Sequence, residues 1–429
     1  MAKIRSVLYR ILYRCAIKLK PLGVKFISFE ARQRIKQNLL KVAFPLKKSG
    51  DNTRLSGDVT GINLVGYARA EMGIGESCRI AARSITAVNI PFGIINFTGT
   101  NSARMNDNTW IHKELAEPKY NINLFHINAE QMFEIYSHYG NSIFTNRYNI
   151  GYWHWELPDF PDEWKESFNL VDEIWVPSTF VADSIASKSP VPVVKIPHSI
   201  EVSIQHMRDR TYFNLPSNAF LFLTMYDLKS FQERKNPKAS IRSFQRAFSP
   251  DDLSVGLVVK VNGIGYAEKD REELHEIIGE YKNIYLIEET LTRNDTNALI
   301  SVTNSYISLH RSEGFGLGLA EAMYLGKPVV GTGWSSNTDF MNHHNSCIVD
   351  YTLINLKQDY GPYKTSQFWA EPDVEHASQY MRKLYEDRNF YEQISLKGEV
   401  YIKEHYSPRA IGSLIQRRLD YISMWKFGG

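Results

Sequence analysis

Two glutamates eight residues apart bracket a glycine-rich run, Glu313-Gly314-Phe315-Gly316-Leu317-Gly318-Leu319-Ala320-Glu321, just after an apolar stretch ending near His310. A glycine-rich turn that opens a helix presents unpaired backbone N–H groups and the positive end of the helix dipole, which suits a phosphate or diphosphate. Glycines also occur in such turns where a strand and a helix merely pack closely. The spacing Gly314-x-Gly316-x-Gly318 departs from the dinucleotide fingerprint, whose third glycine lies three residues past the second, so a nicotinamide enzyme is disfavoured. The carboxylates narrow the chemistry further. On one continuous helix their spacing is a rise of about 12 Å, beyond the roughly 5–9.5 Å between the paired carboxylates of a glycosidase. Because Glu313 precedes the helix, the pair suits two different parts of one extended ligand.

Other stretches carry groups of the same kind. Glu233-Arg234-Lys235-Asn236-Pro237 sets two cations at a helix start, with Asn236 able to cap and Pro237 at the first helical position. The dipole disfavours cations at that end, and an anionic ligand would relieve the conflict. Gly66 to Ser77 forms a second strand-to-helix turn, around Gly73 and Gly75. Ile150-Gly151-Tyr152-Trp153-His154-Trp155-Glu156 ends a strand at the expected cleft edge, and its aromatic residues equally suit a core.

Continued into Ala322, Met323, Gly326, Lys327, Pro328 and Val329, the Glu-x7-Glu pattern resembles glycosyltransferase family 4, the retaining nucleotide-sugar transferases of GT-B fold. The likeness is clear over most of residues 220–350 and loose in the first domain. It implies that Glu313 meets hydroxyls of the donor sugar, Glu321 the ribose hydroxyls, and the N–H groups of Phe315, Gly316, Leu317 and Gly318 the diphosphate. It also implies an Arg and a Lys against the departing diphosphate. Lys235 is the closer match; Arg234 adjoins it where the family separates the two bases, and Ser230 stands near the family's Arg position. By the same resemblance the Gly73–Gly75 loop approaches the phosphate from the opposite side, His154 lies near the reacting sugar, and the polar turn Gly331 to Asp339 helps close the sugar pocket.

The activity implied is transfer of a sugar, with retained configuration, from a nucleoside diphosphate to a hydroxyl of a glycan or lipid-linked acceptor in bacterial surface polysaccharide synthesis. Mannose from GDP-mannose is the first expectation and glucose from UDP-glucose the second. With no Asp-x-Asp motif, no metal or other cofactor is required. Front-face attack, with a donor phosphate oxygen taking the acceptor proton, is the family expectation. The alternatives are a nucleotide-sugar epimerase or phosphorylase of the same fold, or a non-catalytic sugar-binding protein at a membrane.

Positioning such residues needs two sheets facing a cleft, and the chain supplies the pattern. Its 429 residues, 43% hydrophobic and 23% charged, exclude a disordered or fibrous chain and suggest two or three domains. Beyond residue 60, short apolar runs alternate with amphipathic ones, as βα repeats and a mostly parallel sheet require. The alternation breaks at a polar stretch from His198 to Ser217 and restarts at Phe220. The expected fold class is therefore α/β: two Rossmann-like doubly wound domains, 56–200 and 201–405, with ligands bound outside the carboxyl ends of the strands. A helix in 406–429 is expected to pack back on the first domain. Three cysteines with no short spacing disfavour a disulfide framework and suggest a reducing cytosol.

Residues 1–55 form a basic extension. Thirteen Lys and Arg against the single acid Glu30 fall within the first fifty residues. Ile4, Val7, Leu8, Ile11, Leu12 and Cys15 follow helical spacing, the pattern of a helix lying in an anionic membrane surface. Docking of this helix on the protein body is the alternative. A nucleic-acid partner is disfavoured because no recognition motif accompanies the arm and the rest of the chain is net acidic. The expected location is cytoplasmic, peripheral on the inner face of the cytoplasmic membrane.

Overall fold

The computed structural model describes residues 2–18, 59–99, 103–262 and 268–427, with isolated residues between 31 and 43. The basic arm beyond Lys18 therefore lies largely outside the described residues.

The first lobe is a six-stranded parallel sheet in the order β2-β1-β3-β4-β5-β6, built from β1 (Ile62–Gly66), β2 (Phe92–Asn96), β3 (Ile122–His126), β4 (Tyr148–Tyr152), β5 (Glu173–Val176) and β6 (Val193–Lys195). Every residue of β1, β3, β4 and β5 is buried. This is why the strands are continuous apolar runs rather than alternating ones: helices cover both faces of a parallel sheet. The polar Asn63, Asn123 and Asn149 are satisfied by pairing across β1, β3 and β4 (Nδ2 to Oδ1, 2.9 and 2.8 Å).

The second lobe repeats the plan in the order β12-β11-β10-β7-β8-β9, from β7 (Phe220–Asp227), β8 (Val255–Asn262), β9 (Ile284–Ile287), β10 (Ser305–Ser308), β11 (Val329–Thr332) and β12 (Cys347–Val349). Both sheets reverse strand order around their first strand, β1 and β7. The crevice beyond the carboxyl ends at such a reversal is where ligands collect. In the second lobe it opens between β7 and β10, so the segments after Asp227 and Ser308 border it.

Two of the features that join the lobes are a helix and a hairpin late in the chain. The helix Pro408–Ile422, capped by Ser407 Oγ accepting from Ala410 N–H (3.3 Å), packs on the first-lobe helix Gly73–Ala87. A Cβ at Gly412 would lie 2.4 Å from Ser84 O, so only glycine permits this approach. Arg418 on the same helix donates to buried Glu173 of β5 (Nε to Oε1, 2.8 Å). Second, an antiparallel hairpin, β13 (Tyr351–Asn355) and β14 (Phe368–Pro372), carries a link that reaches the first lobe. There Gln367 Nε2 donates to Asp159 O (3.0 Å) and Gln367 Oε1 accepts from Asp159 N–H (3.2 Å).

Candidate functional site

A cleft of about 280 Å³ is lined by residues of both lobes, among them Gly73, His154, Glu156, His198, Arg234, Lys235, Glu313 and the run Gly314 to Leu319. It lies at the carboxyl ends of the strands, where the reversal of strand order leaves room.

From β10 the chain runs through buried His310, held by Ser308 Oγ (3.1 Å) and Asn337 Oδ1 (2.9 Å), to Glu313, whose N–H donates to Ser335 Oγ (2.9 Å). The helix Leu317–Tyr324 then begins at Gly316, which takes φ +95°, a backbone state cheap only for glycine. No side chain caps this helix, so the N–H groups of its first turn are left for an anion.

From β7 the chain passes Phe231, at φ +60°, into a single helical turn, Gln232–Lys235, closed by Asn236 at φ +50°. Arg234 and Lys235 thus occupy the end of one helix rather than the start of the next. The dipole conflict expected from the sequence does not arise, because cations at a helix C-terminus are favoured. Asn236 likewise makes no side-chain cap; its N–H donates to Gln232 O (2.7 Å), which commits its backbone to closing the preceding turn.

The two segments meet. Lys235 Nζ lies 2.5 Å from Glu313 Oε1, and Arg234 Nη1 donates to Ser312 O (2.8 Å) and reaches Glu313 Oε2 at 3.5 Å. Burial would raise the Glu313 carboxyl, but Lys235 and Arg234 outweigh it and hold the group at about 2. Burial would lower Arg234; the neighbouring Tyr363, Glu156 and Glu313 more than reverse this, so it stays charged. Arg234 Nε is buried without a hydrogen-bond partner. An unpaired buried donor costs about 1–3 kcal/mol, more when charged, and a ligand oxygen would satisfy it.

The first lobe contributes His154, which Asn128 anchors: Asn128 Oδ1 accepts from His154 N–H (3.0 Å) and lies 3.3 Å from Nδ1. His154 Nε2 is 2.8 Å from His198 Nε2. Burial lowers His154 to about 4, and burial with the neighbouring cationic groups pushes His198 well down, so both rings are neutral near pH 7. His198 is the clearest residue that sequence reasoning missed, because it opened a stretch assigned to the interdomain hinge. Its signal was the same as that of His154, a histidine just past a strand end.

Of the donor-binding candidates, Gly73 and Phe315 to Gly318 line the cleft, whereas Gly75 and Glu321 are not among its lining residues. Gly75 faces its own loop: a Cβ there would lie 2.2 Å from Ala70 O, while a Cβ at Gly73 would meet nothing within 4 Å. Buried Glu321 is bonded to Arg293. The Arg293 charge also acts on Glu76 of the first lobe. Burial would raise the Glu76 carboxyl, but Arg293, Arg83 and Arg79 hold it at about 2. Arg234 lines the cleft and Ser230 does not. Among the described residues no group of three or more His, Cys, Asp or Glu could hold a metal ion, and no helix is long and apolar enough to cross a membrane.

Residues 222–400 match the family model for glycosyl transferases group 1. Several solved structures share the fold at low identity. HepE of Anabaena in complex with UDP and glucose is 13% identical over 84% of this chain and 100% of its own, with a TM-score of 0.60. A glycosyltransferase of Rickettsia africae is 12% identical over 85% and 99%, at 0.61. Sucrose-phosphate synthase of Thermosynechococcus elongatus is 11% identical over 85% and 99%, at 0.62. No curated protein sequence matches the chain.

Proposed function

We propose that the chain, whose residues 222–400 match the family model for glycosyl transferases group 1 and whose fold is GT-B, transfers a hexose, with retained configuration and without a metal, from a nucleoside diphosphate to a hydroxyl of a glycan or lipid-linked acceptor. Synthesis of bacterial surface polysaccharide is the role proposed, with mannose or glucose as the sugar. The observation that carries this reading is the convergence of Lys235, Arg234 and Glu313 on one cleft that the uncapped helix Leu317–Tyr324 also borders.

The bond from the anomeric carbon to the diphosphate breaks with its electron pair going to the leaving oxygen. The acceptor oxygen bonds to the anomeric carbon on the same face, and its proton passes to a donor phosphate oxygen. Lys235, Arg234 and the N–H groups of the glycine turn stabilise the negative charge that grows on the diphosphate. A diphosphate that takes over the two cations releases Glu313, whose carboxylate then accepts hydrogen bonds from sugar hydroxyls. Neutral His154 faces the sugar from the first lobe. Glu321 takes the ribose, in exchange for part of its bond to Arg293. Closure of the lobes excludes water and orients the reactants.

The first helix, Ala2–Lys18, supports a membrane-facing role. One face docks: Ser6 Oγ donates to Ala43 O (2.7 Å), and Tyr13 packs edge-on against Phe133. The opposite face leaves Val7, Leu8 and Ile11 each 54% exposed and Leu12 45% exposed. An exposed apolar face in a segment rich in Lys and Arg fits an anionic lipid surface, where a lipid-linked acceptor would be found.

The test is incubation of the chain with UDP- and GDP-linked hexoses and a lipid-linked acceptor, following nucleotide release and sugar incorporation. UDP-glucose is the first donor to try, since HepE was solved with UDP and glucose. Incorporation with the anomeric configuration kept supports the reading; interconversion of the nucleotide sugar without transfer overturns it.

A further inference from the structure

Glu156 stands in the same cleft as Lys235 and Glu313 but on the opposite lobe, just past the end of β4. Its Oε2 accepts a hydrogen bond from Tyr363 OH (3.1 Å). Its backbone carbonyl accepts from Ser312 Oγ, the neighbour of Glu313. Tyr363 is itself fixed: its ring packs against Trp155 (5.5 Å) and Phe231 (5.2 Å), and Arg234 lies over it at 5.9 Å. The second lobe thus holds both the backbone and one carboxylate oxygen of Glu156, which fixes where the other oxygen points.

Oε1 lies 3.8 Å from the point that a Cβ on Gly314 would occupy, which sets it against the glycine turn. Among the described residues no cation stands within ion-pair distance of Glu156, whereas Glu313 has two. An ionised carboxylate is an acceptor only. It repels a phosphate and favours a group that donates hydrogen bonds. The cleft is therefore divided by charge, with Arg234 and Lys235 suited to an anion and Glu156 suited to a neutral group that donates hydrogen bonds.

We propose that Glu156 Oε1 accepts a hydrogen bond from a sugar hydroxyl in the cleft and thereby selects a hydroxylated sugar over its deoxy form at that position. The inference rests on the transferase reading and deepens it. The hydroxyl belongs either to the transferred sugar or to the acceptor, and the two are separable. A site built to bind a hydroxyl discriminates against its absence, because the acceptor in the site then loses its donor.

The experiment compares the full chain with Glu156→Gln, which keeps the shape and loses the anionic acceptor. We expect kcat/KM for transfer to fall at least about tenfold with no change in affinity for the nucleoside diphosphate alone. The wild-type preference for the hydroxylated sugar over monodeoxy analogues should shrink in parallel. A fall in both transfer and acceptor-free donor hydrolysis assigns the hydroxyl to the donor sugar, and a fall in transfer alone assigns it to the acceptor. Retention of kcat/KM within twofold, with the wild-type chain active, overturns the proposal and leaves the transferase reading intact. Inactivity of the wild-type chain on every donor overturns both. If Glu156→Gln does not fold, Tyr363→Phe takes its place: it keeps the carboxylate but removes the bond that aims it. An unchanged kcat/KM and deoxy preference in that variant also overturn the proposal.

Discussion

Lys235 Nζ and Glu313 Oε1 stand 2.5 Å apart, joining the segment after β7 to the segment after β10 across the point where the second sheet reverses its strand order. The ion pair is largely buried, and such a pair stabilises the fold only while both members are present. Lys235→Met leaves the Glu313 charge with the more distant Arg234 alone and should cost about 3 kcal/mol. Glu313→Gln with Lys235→Met removes the charge conflict, so the double variant should be less destabilised than the sum of the singles. Denaturant unfolding of the four proteins in a double-mutant cycle checks this, and strict additivity would count against direct coupling. Both single variants should lose about 100-fold or more in turnover, since each removes a group placed where charge develops.

Acid should destabilise the protein in two stages. His154 falls from its ordinary 6.5 to about 4, so the unfolded chain takes up the proton first, and stability is lost as pH drops from 6.5 towards 4. Glu313, at about 2 against an ordinary 4.5, contributes stability that is present above pH 4.5 and lost as pH falls through 2. His154→Gln should make the upper stage shallower, since His198 and His126, also lowered by burial, still contribute to it, and should leave the lower one. Thermal midpoints measured from pH 7 to pH 3 are the check, and an unchanged upper stage in the variant would contradict the assignment.

Two glycines of one loop should respond differently to the same change. Gly75→Ala forces a methyl to 2.2 Å from Ala70 O and should destabilise by about 2 kcal/mol or more through overpacking. Gly73→Ala meets open space, so its thermal midpoint should hold while nucleotide affinity falls, because the methyl projects where the cleft is lined. Calorimetric titration alongside thermal unfolding separates the two effects.

Arg293 joins the lobes electrically, bonded to Glu321 and acting on Glu76. Arg293→Ala removes the charge-assisted contact that orients Glu321, the residue proposed to take the ribose, and should weaken nucleoside diphosphate binding roughly threefold to thirtyfold. Arg293→Lys, which keeps the charge without the planar fork, should recover part of that loss. Equal affinity in all three proteins would remove Arg293 from the account.

The apolar face of the first helix gives a prediction independent of catalysis. Leu8→Asp with Ile11→Asp should abolish sedimentation with anionic lipid vesicles while leaving the thermal midpoint unchanged, because both side chains are 54% exposed. Retained binding would point away from this helix.

What could be read from the sequence followed from physics that is local. The central strands of both sheets stand out as apolar runs because they are buried on both faces, as every residue of β5 (Glu173–Val176) is. Ser178 and Ser407 act as caps, as short-range hydrogen bonding dictates. Long-range relationships were not legible. Nothing in the sequence near His198 announces a partner 44 residues earlier, and Tyr363 meets Glu156 across 207 residues through a hairpin whose strands carry no clear alternation. Arg234 and Lys235 line the cleft, but their backbone was not legible, because two residues with positive φ, Phe231 and Asn236, insert a helical turn that the Asn-Pro signal alone does not reveal.

A crystal structure of the chain with a bound nucleoside diphosphate sugar tests the central claim most directly. The account predicts the diphosphate within hydrogen-bond distance of Lys235, Arg234 and the first-turn N–H groups of Leu317–Tyr324, with Glu313 turned from Lys235 to the sugar hydroxyls. A diphosphate bound elsewhere, with the Lys235–Glu313 pair intact, would contradict it.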